Sequence, residues 1–151
     1  MRVSGAAAVA LGVAAACKPG SGASGTEAQL SEGMPLRTNP NTGDKVSLLG
    51  YGCMRWPMTK DEAGNEVIDQ EKVNEMVDYA IAHGVNYFDS APVYLQGQSE
   101  AATAKALSRH PRDSYYIATK CSNHRGFEPT YEAGVAMYRR SLAFYDTDHI
   151  D

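Results

Sequence analysis

At 151 residues the chain has room for one domain with a core, and 43% apolar against 21% charged residues excludes a polar disordered chain. A net charge of -4 without a long Lys/Arg run excludes the basic footprint of a nucleic-acid-binding protein. Cys17, Cys53 and Cys121 lie too far apart in sequence for a zinc knuckle or a multi-bridge scaffold, so one disulfide at most could form.

Residues 1–17 are expected to be a signal peptide or lipoprotein-type leader. After Arg2 nearly every residue to Ala16 is small or apolar, and the run is too short to span a bilayer as a stable helix. Ala14, Ala15 and Ala16 before Cys17 resemble a lipoprotein signal, in which Cys17 becomes a lipid anchor and the protein is exported to the periplasm or held at a membrane. The segment from Arg2 to Ala8 resembles the second half of a twin-arginine leader. The alternative is a frayed N-terminal helix with an ordinary thiol. Residues 18–33, rich in Gly and Ser and carrying Pro19, read as a flexible linker.

The folded part is expected over residues 34–151. The turn formers from Asn39 to Gly43 predict a small hairpin between Pro35 and Val46. Val46 to Met54, apolar with Gly50 and Gly52, reads as one buried strand. Asp69 is the expected cap of a helix whose buried face carries Val73, Met76, Val77, Ala80 and Ile81 at helical spacing. Gly84 ends that helix and Val85–Asp89 is the next strand. Ser99 is expected to cap a second helix to about Arg109, and Tyr115–Lys120 to form another strand. Tyr131, Val135, Tyr138, Leu142 and Tyr145 mark one face of a third helix, where the tyrosines read as packing residues. His149, Ile150 and Asp151 read as the start of a fourth strand. This alternation gives an α/β protein with parallel strands, either a barrel or a doubly wound sheet; periodicity alone leaves both open.

Certain residues distinguish them. Gly50-Tyr51-Gly52-Cys53-Met54-Arg55, the segment Gly84–Ala91 ending in Phe88-Asp89-Ser90-Ala91, Tyr94 five residues after Asp89, Ser99-Glu100, and Ile117-Ala118-Thr119-Lys120 together resemble the aldo-keto reductase family. The Gly-Cys-Met-Arg variant is similar to bacterial members with an iron-sulfur extension, although no such cysteine cluster is present. The resemblance implies a (β/α)8 TIM barrel, here its hairpin and about three βα units, with the active site at the C-terminal ends of the strands. It implies NADPH (or NADH) as cofactor, an aldehyde or ketone as small-molecule substrate, and Asp89, Tyr94 and Lys120 as catalytic residues. Gly52, Cys53, Met54 and Asp89 are the implied cofactor contacts. The family's catalytic histidine falls beyond Asp151, as do its phosphate and adenine contacts, and His149 does not match it. The chain is therefore expected to be a truncated part of a barrel that typically takes ~250 residues.

The chemistry of these residue types stands beside the resemblance. Reduction of a carbonyl builds negative charge on oxygen and calls for a proton donor, which Tyr94 can supply. An ammonium at Lys120 favours the phenolate left behind, and a carboxylate at Asp89 holds that ammonium charged and in place. Individually, Asp89 could cap a turn, Tyr94 could be a loop aromatic and Lys120 a solvated strand end. Cys121 beside Lys120 reads as buried, and His124 either lines a substrate pocket or sits in an exposed loop. A non-catalytic cofactor-binding or regulatory module on the same fold is the main competing function. A hydrolase barrel is weaker, since no metal-ligand spacing or paired-carboxylate site supports it.

Overall fold

The computed structural model describes residues 33–121 and 129–151. The expected leader, Cys17, nearly all of the linker and His124 lie outside the described residues.

The chain first forms an antiparallel hairpin, β1 (Leu36–Thr38) with β2 (Lys45–Ser47), closed by the expected Asn39–Gly43 turn. The segment from Val46 to Met54 is not the continuous buried strand expected. Ser47 ends β2, where the Asn86 side chain accepts from its backbone N–H at 2.7 Å and its own hydroxyl donates to the Leu49 carbonyl at 2.6 Å. These bonds bend the chain outward, leaving Leu48 and Leu49 exposed before the short β3 (Tyr51–Gly52). A second hairpin, β4 (Met58–Lys60) with β5 (Glu66–Ile68), was not expected. Its turn is organised by Asp61, whose carboxylate accepts from the Ala63 and Asn65 backbone N–H groups.

Helix α1 (Gln70–Ala82) starts where Asp69 predicts, with the Asp69 carboxylate accepting the Lys72 N–H at 3.2 Å. Val73, Val77 and Ala80 are buried as expected, whereas Met76 lies at the exposed margin of that face. Gly84 closes the helix with φ +84°, and a Cβ there would lie 2.7 Å from the Met34 Cβ, so both conformation and space require glycine.

Strand β6 (Tyr87–Asp89) follows, then a tight turn, α2 (Ser99–Leu107), β7 (Tyr116–Ala118) and α3 (Tyr131–Tyr145). The three strands β3, β6 and β7 form one parallel sheet in the order β3-β6-β7. Gly52, Asp89 and Ala118 stand in one register row at its carboxyl edge. Beyond β7, the Asp151 N–H donates to the Ile117 carbonyl at 3.1 Å and the Ile117 N–H donates to the Asp151 carboxylate at 2.8 Å, so Asp151 lies beside β7, but residues 149–151 form no strand where a fourth was expected.

The core lies between sheet and helices and contains Val73, Val77, Phe88, Leu107 and Ile117, with Tyr51, Trp56, Phe88 and Tyr115 in a row of ring contacts. The α3 face differs from the sequence reading. Met137, Ser141 and Tyr145 are buried, while Tyr131 and Tyr138 are exposed, because α3 turns a partly polar stripe toward α2. Of the three helix tyrosines named for packing, only Tyr145 is buried.

Candidate active site

The parallel register brings the expected catalytic residues to one edge. Asp89 is the last residue of β6 and Lys120 lies two residues beyond β7, so neighbouring strands deliver a carboxylate and an ammonium side by side. The Lys120 Nζ donates to Asp89 Oδ1 at 2.5 Å and to the Ser90 carbonyl at 2.8 Å. Tyr94 comes from the turn after β6, and its ring lies beneath Lys120 Nζ, 4.9 Å from the ring centre. Three consecutive left-handed residues, Leu95, Gln96 and Gly97, then reverse the chain into α2. For Leu95 and Gln96 such backbone is costly and requires the surrounding fold to hold it.

The ion pair faces solvent, with about 40% of each side chain exposed. Burial alone would lower the Lys120 pKa, but hydrogen bonding to Asp89 and the polar contact with the Tyr94 phenol outweigh it and hold the ammonium above the usual lysine value. The cation is thus fixed in its charged form at the point where the phenol sits.

The expected cofactor-side residues separate into two kinds. Gly52 and Met54 are exposed at the carboxyl edge, and a Cβ on Gly52 would meet nothing within 4 Å. Cys53, by contrast, is fully buried. Its thiol turns inward, where burial pushes the pKa up to about 12. Cys121 is a correction, being exposed rather than buried.

Sequence reading missed the polar layer behind this edge. Ser99 does not cap α2; its hydroxyl donates to the Cys53 carbonyl at 2.7 Å and pairs with the Ser90 hydroxyl at 3.0 Å. The Trp56 indole N–H donates to Thr103 at 2.9 Å. Glu100, wholly buried, accepts from Thr119 at 2.6 Å and Ser141 at 2.7 Å. The available signal was a glutamate among small residues on an otherwise apolar helix face.

Residues 48–151 match the Aldo/keto reductase family. The chain belongs to this family. It is 34% identical over 132 residues to the probable aldo-keto reductase 1 of Glycine max, a match covering 83% of the chain and 36% of that protein. Among solved structures it resembles the holo form of an aldo-keto reductase from Bacillus halodurans, with 30% identity, a TM-score of 0.62, and 78% of this chain against 38% of that one covered. An aldo-keto reductase from Klebsiella pneumoniae in complex with NADPH shares the fold at 24% identity and a TM-score of 0.55, over 78% of this chain and 38% of that one. The chain thus spans little more than a third of the length of these relatives.

Proposed function

We propose that the protein carrying this chain reduces aldehydes or ketones to alcohols with NADPH or NADH, with Tyr94 as general acid. The observation that carries the reading is the Lys120 ammonium, paired with Asp89 and lying over the Tyr94 ring. A nicotinamide cofactor would supply the hydride. Gly52 and Met54 fit a flat group at the edge, since the glycine leaves its approach open and the methionine offers an apolar surface. Cys53 would act only by holding these two neighbours from within.

Tyr94 would donate its phenolic proton to the substrate oxygen as negative charge develops there. Lys120 would stabilise the phenolate left on Tyr94, and Asp89 with the Ser90 carbonyl would keep the ammonium from swinging away into water. In a barrel of this kind the loops at the carboxyl ends of the strands would set which carbonyl compound is taken. We read residues 1–17 as a lipoprotein-type leader anchored through Cys17 and residues 18–33 as its tether, on the sequence pattern alone.

The test is NADPH consumption by the full gene product with a panel of aldehydes and ketones. Tyr94→Phe should retain cofactor binding and lower kcat by about 10²–10⁴-fold, the usual contribution of a positioned general acid. Cofactor binding without turnover in the wild type would instead support a non-catalytic binding module.

A further inference from the structure

Two adjacent residues at the start of α2, Ser99 and Glu100, each reach a strand that carries one member of the Asp89–Lys120 pair. Ser99 pairs with the hydroxyl of Ser90, the residue after Asp89, and the Ser90 carbonyl in turn accepts from Lys120. Glu100 accepts from the hydroxyl of Thr119, the residue before Lys120. The same Glu100 oxygen accepts from Ser141 on α3, so one carboxyl joins α2, the end of β7 and α3.

This glutamate is a poor choice for packing alone. It is fully buried, and among the described residues no cation pairs with it and its second oxygen, Oε2, has no hydrogen-bond partner. A buried carboxyl so incompletely satisfied is destabilising, and an apolar residue of similar volume would serve a core better. Its two hydrogen bonds explain its presence only if holding Thr119 matters.

We propose that Glu100 is a positioning residue for the active site, fixing Lys120 over Tyr94 and beside Asp89 by holding Thr119 at the end of β7. The proposal deepens the reductase reading and rests on it for the importance of Lys120, but its test needs no turnover. The titratable groups facing Lys120 are Asp89 from β6, Tyr94 from the following turn and the buried Cys53 behind them. On the Glu100 side, Tyr145 is the nearby titratable group from α3.

The experiment is an NMR titration of the Lys120 ammonium in the full gene product, with its resonance identified by loss in Lys120→Arg. Glu100→Ala should lower the Lys120 midpoint toward the ordinary lysine value, since the ammonium loses its fixed place between Asp89 and Tyr94. Thr119→Val, which removes the connecting hydroxyl at nearly constant shape, should do the same. Glu100→Gln, which keeps an acceptor oxygen, should restore the wild-type midpoint. Ser141→Ala removes the other hydrogen bond to Glu100 and should leave Lys120 unchanged despite a similar loss of stability. An unchanged midpoint in Glu100→Ala or Thr119→Val, or an equal fall in Ser141→Ala, would overturn the proposal. Loss of folding in both Glu100→Ala and Thr119→Val would also overturn it, by assigning Glu100 to the fold instead of the site. A wild-type protein without reductase activity would count against the proposed function and leave this titration result standing.

Discussion

The buried face of the three-stranded sheet and its carboxyl edge are made by the same strands but do different work. Phe88 and Ile117 turn their side chains into the core between the sheet and the helices, with almost no exposure. One or a few residues later, Asp89 and Lys120 stand partly in water and hold each other across neighbouring strands. The comparison teaches that burial fixes where the strands lie, while strand register decides which polar groups meet. Stability resides in the first region, and the proposed chemistry in the second.

The largest effect on stability should come from the buried face. Phe88→Ala removes a side chain that stacks on Tyr51 and meets Tyr115 edge-on, and should destabilise the fold by about 3–5 kcal/mol in denaturant unfolding. A cost near that of a surface substitution would mean that the sheet is not held by this interface. Gly84→Ala comes next. It forces a side chain into a left-handed conformation against Met34 and should cost about 1–3 kcal/mol, read as a lower unfolding midpoint.

The smallest stability effect should appear at the edge, on alkaline titration. The folded-state pKa of Lys120 is raised, so its contribution is fully present below the unfolded lysine value, about 10.4, and is lost as pH rises through the folded value. Because the pair faces solvent, the stability difference between wild type and Lys120→Met should be slight at neutral pH and vanish at high pH. A large difference that persisted above the folded value would place Lys120 among the structural residues instead.

Much of the buried face was legible in the sequence because helical spacing reports it directly. Val73, Val77 and Ala80 repeat with the turn of α1, and Asp69 and Gly84 mark its ends by chemistry that only helix termini use. The third helix was legible in extent but not in orientation. Its tyrosines give a helical stripe as plausible as the buried one, and only packing against α2 turns Met137, Ser141 and Tyr145 inward. The break after Ser47 was hidden because the cause is a side chain 39 residues away, Asn86, bonding to the Ser47 backbone.

At the candidate site, the family resemblance implied Asp89, Tyr94 and Lys120, and the parallel register brings them together. The burial expected of Cys121 does not hold, since a cysteine beside a lysine carries no local signal of which way the side chain turns. The layer formed by Ser99, Glu100, Thr119 and Ser141 was out of reach for a different reason. Its hydrogen bonds connect α2, β7 and α3, and single-chain periodicity holds no information about which polar groups those elements bring face to face.

The most direct test of the account is a double-mutant cycle on carbonyl reduction by the full gene product, using Tyr94→Phe, Lys120→Met and both together. If Lys120 acts by stabilising the phenolate of Tyr94, the double variant should be no slower than the slower single variant, because each change removes the same proton-donating unit. Losses in kcat that multiply would contradict the account and show that the two residues act independently.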